Sequence, residues 1–474
     1  MKQILTFAIL FLLTAYTIQA NNIQTSNVLL NGQNTTSDFT LVNFSVNWEN
    51  AWRTNTNESN YDGAWVFVKF RKKNSSNWQH ATINYVAPGT AAACGHTQAV
   101  GATIKTAADG KGIWIYKSTF GIGSVNFAAN KIRWNYGVDG VLDADSVEVR
   151  LFAVEMVNVP TGAYNLGSGG TENYHFQDGV VDSYYPITSE NSIVCGNAAG
   201  NLWTSSGGAY WFTGTLPTAF PKGYNSFWIM KYEFSQQQYI DFLNTIDYNK
   251  YVNRNPYNSA YTVGTHPNLT APNPERAIGY ISCLDMLAWL DWAAMRPFTE
   301  LEYEKACRGA NQVPVANEYP WGNTTITAIS GPTNQGTSSE TWSVGNCNYS
   351  TPIGNEKMRC GALATSTSTR TSCGATYYGV MEMGGNLWEW AVSPFEITGR
   401  SFTGTHGDGN LAADGSHNAA NWPSLSGLGL ALRGGAYGAG SAGYCVTSDR
   451  YYGSYQYVSK ASSNLGGRGA RTGE

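Results

Sequence analysis

The chain has 474 residues, a formal net charge of −4, 13% charged residues, 13% aromatics and 52 glycines. Its one basic run, "FRKKN" at 70–74, is short, which excludes an electrostatic footprint for nucleic acid. Roughly 450 residues beyond the N-terminal leader are too many for one hydrophobic core, so two domains are expected.

The leader is "MKQILTFAILFLLTAYTIQA", residues 1–20. Lys2, an apolar run of about 15 residues and the small Ala20 predict a secretory signal peptide. No later stretch reaches the ~18 apolar residues of a membrane span. No cysteine follows the leader, so a lipid anchor there is not expected. The expected location is therefore secreted or at the cell surface. Residues 21–151 carry "FTLVNFSVNWENAW", "YDGAWVFVKFRKK", "GIWIYKSTF" and "DADSVEVRLFAVEMV", which alternate apolar and polar residues. Period-two strands separated by Asn, Ser and Gly clusters predict an all-β sandwich domain. It shows no chemical constellation and reads as a structural or docking module.

Helices are expected only later. "SQQQYIDFLNTI" (235–246) opens with a capping box from Ser235 to Gln238, and Tyr239, Phe242, Leu243 and Ile246 share one face. "SCLDMLAWLDWAAM" (282–295) begins with Ser282 and Asp285. "TELEYEKACRG" (299–309) has Thr299 with Glu302, then Arg308 in the last turn and Gly309 as the stop. Short helices among Gly/Asn-rich loops and strands predict an α+β domain over 152–474. The polar stretches 364–372 and 404–423 read as loops.

The eight cysteines are Cys94, Cys195, Cys283, Cys307, Cys347, Cys360, Cys373 and Cys445. An even count in an exported chain favours disulfides, but spacing does not pair them. The six histidines are scattered and no C-x-x-C occurs, so zinc is not expected.

Five motifs in order carry a family resemblance. They are "VEMVNVPTGAYNLGSG" (154–169), "FWIMKYEFSQQQYIDFLN" (227–244), "MRPFTELEYEKACRGA" with "YPWGN" (295–310, 319–323), "GVMEMGGNLWEWAV" (379–392) and "LRGGAY" (432–437). This region resembles the formylglycine-generating-enzyme, or sulfatase-modifying-factor, family. The resemblance implies a variant of the C-type-lectin fold and places Trp388 and Trp390 in the core. The closing "NLGGRGAR" (464–471) departs from it, with Gly467 where an aromatic is usual.

In enzymes of this family two copper-binding cysteines follow the Arg-Gly-Gly on one strand, six and eleven residues after the arginine. Soft sulfur pairs suit Cu(I). Counted from Arg433, those positions are Ala439 and Tyr444; Cys445 lies one residue beyond, which on a strand is the opposite face. No catalytic pair is expected, copper is not expected, and Cys445 is left as a weak candidate, a buried thiol or a disulfide partner. The resemblance also implies calcium on "EMGGNLWE", with carboxylates from Glu382 and Glu389 and carbonyls from Gly385 and Leu387. Glu382 replaces the usual Asn or Asp there.

Residues 436–464 hold six tyrosines, six serines, four glycines and four alanines. Tyr with Ser and Gly is the composition of a paratope, and it resembles proteins of this fold variant diversified by bacterial retroelements. Tyr437, Tyr444, Tyr451, Tyr452, Tyr455 and Tyr457 are the expected ligand surface. Tyr451, Tyr452, Tyr455 and Tyr457 are expected to be largely exposed, near Tyr437 and the "HGDG" loop at 406–409. The expected function is non-catalytic binding of an extracellular protein or glycan. The alternatives are a copper-dependent oxidase acting on a protein cysteine, and a structural part of a surface assembly.

Overall fold

The computed structural model describes residues 23–473, apart from 182, 256–260, 350–355, 424–428 and 456–460. The expected signal peptide and Tyr457 lie outside the described residues.

The N-terminal residues form strands β1 (Gln24–Asn34), β2 (Phe39–Arg53), β3 (Asp62–Lys72), β4 (Gln79–His80), β5 (Ala102–Thr106), β6 (Ile113–Lys117), β7 (Gly121–Trp134) and β8 (Val147–Val159), of which β2, β3, β6 and β8 are the four segments expected as strands. β1, β2 and β7 make one antiparallel sheet; β3 to β6 and β8 belong to a seven-stranded one. Val42, Phe44, Val46 and Trp48 of β2 share a buried cluster with Val66, Val68 and Phe70 of β3. Successive strand residues point to opposite faces. Trp65 and Phe67 of β3 therefore face the other way, into a second core with Trp228, Trp289 and Trp292. β3 is buried on both faces, so it carries a nearly unbroken apolar run in place of the alternation expected for it.

The boundary expected between residues 151 and 152 falls inside β8. One edge of β8 pairs with β3, from Asp62 opposite Val157 to Lys72 opposite Val147. Its other edge pairs with Phe227–Met230, which pairs in turn with Ala470–Thr472. The two halves of the chain thus share one hydrogen-bonded sheet. A cut at 151 would leave buried ladder groups unpaired, which is costly. Side chains reinforce the junction. The Trp65 Nε1–H donates to the Ala293 carbonyl at 2.9 Å, and Lys231 Nζ meets Asp62 at 3.0 Å and Glu155 at 3.1 Å.

The helices form where their caps were legible. Gln236–Leu243, Cys283–Trp292 and Glu300–Arg308 each begin with a reciprocal capping box, from Ser235, Ser282 and Thr299. Tyr239, Phe242 and Leu243 are fully buried and Ile246 nearly so. A further helix, Tyr248–Arg254, is capped by Asp247 and was not foreseen. The domain is sheet-rich α+β. A small sheet orders Leu430–Arg433, Trp388–Val392 and Leu465–Gly466, and buries Trp388 and Trp390 as expected. The place of the missing aromatic at Gly467 is filled from outside. A Cβ there would lie 2.8 Å from Met286 Sδ and 3.5 Å from the Phe234 ring.

Candidate ligand-binding site

The strand Leu430–Arg433 delivers the Arg-Gly-Gly turn. Arg433 is fully buried and donates to Glu300 Oε1 at 3.1 Å, Glu304 Oε1 at 3.0 Å and the Thr447 carbonyl at 2.7 Å. Arg450 shares Glu300. Gly434 and Gly435 have φ of +89° and +73°, and a Cβ on Gly435 would meet Cys445 Sγ at 2.8 Å. Both glycines are required, by backbone conformation and by space.

The chain then leaves strand geometry. Ala439 N–H closes a turn onto the Ala436 carbonyl at 3.1 Å, and Ala442–Cys445 is a single 3-10 turn. The facing argument made for Cys445 along a strand therefore does not hold. Cys445 is buried beside Tyr319, Trp321, Cys347 and Val446. Ala439 still offers no donor, so no thiol pair forms at the expected positions.

The tyrosines divide into two groups. Tyr444, Tyr451, Tyr452 and Tyr455 stack in a chain, with ring centroids 5.1 Å apart for 444–451, 4.9 Å for 451–452 and 5.5 Å for 452–455. Tyr452 packs edge-on against Trp388 at 5.1 Å and Tyr455 against Trp390 at 5.5 Å. Tyr451 is 39% exposed; Tyr444, Tyr452 and Tyr455 are only half-exposed. The side chains expected to be largely exposed are not: Tyr451 keeps 39% of its surface, and the Tyr452 and Tyr455 rings cover the two core tryptophans. The 406–409 loop is not beside them. Its glycines press on Asp291 and His80, the Asp408 N–H donates to Asp291 at 3.0 Å, and Lys69 Nζ donates to the Gly409 carbonyl at 2.6 Å.

Tyr437 belongs to a different place. It is buried and lines a cavity of about 570 Å³ together with Tyr261, Arg276, Tyr280 and Lys357. Gly438, Ser463 and Asn464 also line it, so both ends of the 436–464 segment reach this cavity. Lys357 Nζ donates to the Tyr261 hydroxyl at 2.7 Å and lies 5.7 Å from the Tyr437 ring centroid. Burial, aided by Arg276, lowers the Lys357 ammonium to about 8. Arg276 pairs with Glu340 at 3.1 Å and with Glu356, while its buried Nε has no hydrogen-bond partner among the described residues. Arg276 and Lys357 were missed in the sequence. Lys357 sits in "EKMRCG", and nothing local marks either residue.

Of the calcium ligands expected at Glu382, Gly385, Leu387 and Glu389, the two carboxylates have other partners. Both Glu389 oxygens accept from Arg468 at 2.7 Å. Glu382 Oε1 accepts the Gly361 N–H at 2.7 Å. The Leu387 N–H donates to Glu233 at 2.9 Å, and the Gly385 N–H to the Gly434 carbonyl at 2.7 Å; these bonds leave untouched the two carbonyls expected as ligands. The Glu389 carboxylate is engaged at both oxygens by a guanidinium, so a calcium ion on this segment would have to share or displace Arg468. Among the described residues no group of three or more His, Cys, Asp or Glu converges to hold a metal.

The Arg433 scaffold, the three capped helices and the core Trp388–Trp390 strand occur together within one stretch. The family model of the sulfatase-modifying factor enzyme 1-like domain matches residues 150–472. The chain belongs to this family. Among curated proteins, hercynine oxygenase of Mycolicibacterium thermoresistibile is similar, at 26% identity over 121 residues. That match covers 26% of this chain and 22% of the relative's own length. The sulfatase-modifying-factor domain begins within β8, so the sheet that carries its first strand is completed by the preceding residues. No helix among the described residues is long and apolar enough to cross a membrane.

Proposed function

We propose that this member of the sulfatase-modifying-factor family is an exported, non-catalytic binding protein. Its domain is a C-type-lectin-type fold variant, joined to an N-terminal β-sandwich that serves as a docking module. The ligand, an extracellular glycan or protein, enters the cavity between Tyr437 and Lys357. One observation carries this reading. Arg276 and Lys357 bring two cationic side chains to a tyrosine-lined polar cavity that both ends of the 436–464 segment help to build. Lys357 adds a cation below about pH 8, so a hydroxyl-rich ligand bearing a carboxylate fits best.

An oxidase reading draws on the family and on the name of the similar oxygenase. Ala439 and the burial of Cys445 weigh against it. The test is titration of the full chain with uronic-acid-containing oligosaccharides and with acidic peptides, beside Lys357→Met and Tyr437→Ala. Saturable binding by the native chain that both substitutions weaken at least tenfold supports the proposal. Copper-dependent oxygen consumption favours the oxidase instead. Binding unaffected by either substitution rejects this cavity.

A further inference from the structure

All eight cysteines are buried, and each is unbridged in the structure. Two of them nonetheless stand apart from the rest. Cys347 and Cys445 occupy one small core with Tyr319, Trp321 and Val446. Cys445 is close enough to help raise the Cys347 thiol above its ordinary value. The surrounding backbone is shaped to admit both sulfurs. A Cβ on Gly385 would lie 2.6 Å from Cys347 Sγ, and one on Gly435 would lie 2.8 Å from Cys445 Sγ. Those two glycine turns are themselves tied by the Gly385 N–H to the Gly434 carbonyl at 2.7 Å. The Cys347 thiol also donates to the Gly384 carbonyl at 3.2 Å.

From this shared pocket of two glycine turns we infer that Cys347 and Cys445 form a disulfide in the mature protein. The inference goes beyond the binding proposal and does not depend on it. The oxidant is a thiol-exchangeable disulfide, of the class of glutathione disulfide or an oxidised dithiol protein. One cysteine thiolate attacks a sulfur of that disulfide, giving a mixed disulfide and one released thiolate. The second cysteine thiolate then attacks the protein sulfur of the mixed disulfide, forming the Cys347–Cys445 bond and releasing the second thiolate. Two protons leave the cysteines and are taken up by the departing thiolates or solvent. Two electrons pass from the cysteines to the oxidant. Burial raises the Cys347 thiol well above its ordinary value, so the exchange belongs to the stage of folding before this core closes.

The bond braces the cavity. Cys347 precedes Asn348, whose Nδ2 donates to Asn386 Oδ1 at 3.0 Å. The same Asn386 oxygen accepts from the Met358 N–H, next to Lys357, and the Asn386 carbonyl accepts from the Tyr437 N–H at 2.9 Å. The disulfide therefore ties together the two walls that hold Lys357 and Tyr437, from positions far apart in the chain.

The experiment folds the full chain in a buffer of reduced and oxidised glutathione. The product is denatured without reductant, alkylated with iodoacetamide, digested and mapped by mass spectrometry. The expected result is one cross-linked pair of peptides containing Cys347 and Cys445, with the remaining cysteines alkylated. In Cys347→Ser, Cys445 should become alkylated. If that variant does not fold, the map of the native chain still decides. Alkylation of both Cys347 and Cys445 in the unreduced native chain overturns the inference. So does a link from either one to any other cysteine.

Discussion

Arg468 grips Glu389 with two parallel hydrogen bonds of 2.7 Å, and both side chains are completely buried. Arg468 also donates to the Met230 and Met381 carbonyls, at 3.1 and 2.8 Å. Glu233 and Glu382 are close enough to add to its field. One guanidinium thus holds the segment that resembles a calcium loop, the closing strand region and the strand Phe227–Met230 in a single cluster.

Removing one member of a buried ion pair leaves the other charge uncompensated, at about 3–5 kcal/mol. Arg468→Met should lose about that much stability in denaturant titrations. A loss under about 1 kcal/mol would show that the pair contributes little beyond packing.

Because Arg468 already engages Glu389, calcium is not expected to add stability. The melting temperature should be the same in excess chelator and in millimolar calcium. A chelator-sensitive melt that Glu389→Ala abolishes would mean that the metal displaces Arg468.

Glu382 is fully buried, with Oε2 unpartnered, and burial raises its carboxyl to about 7. A carboxyl raised on folding binds its proton more tightly in the native state. Its contribution is therefore fully present below the ordinary carboxylate value and is lost as pH rises through about 7. Across that window the native protein should lose up to about 3 kcal/mol from this group. Glu382→Gln, which stays neutral and keeps an acceptor for Gly361, should flatten that part of the stability–pH curve. An unchanged slope would exclude Glu382 as its source.

Capture of an acidic ligand in the Tyr437–Lys357 cavity should weaken as pH rises through about 8, where Lys357 loses its proton. Lys357→Arg keeps the charge at higher pH and should move the fall upward. Affinity titrations from pH 6 to 10 read both profiles. A native profile that is flat across this range argues against contact between Lys357 and the ligand's charge.

The stacked tyrosines separate packing from recognition. Tyr452→Ala removes a ring seated on Trp388 and should cost about 2–4 kcal/mol in denaturant melts. Tyr451→Ala removes a ring that is 39% exposed and should cost about 1 kcal/mol or less. Equal costs at the two positions would contradict this division of roles.

Some of this molecule was legible in the residues themselves. The three capping boxes, the alternating strands and the burial of Trp388 and Trp390 depend on neighbours a few positions away or on a regular period, and short windows of sequence record those. The loss of a cysteine at Ala439 was equally plain. The tertiary structure decided the rest. A strand such as β8 does not declare who pairs with each edge, so the shared sheet looked like a domain boundary. A glutamate does not announce an arginine 79 positions onward, so Glu389 read as a calcium ligand. Tyrosine-rich composition is the same whether the rings face solvent or cover tryptophan. Lys357 reaches Tyr437 only because the intervening chain folds Trp388–Val392 against Leu430–Arg433 and returns the Asn386 turn between them. Capping and periodicity are short-range energies written locally; ion pairing, edge pairing and cavities are set by which distant surfaces burial brings together.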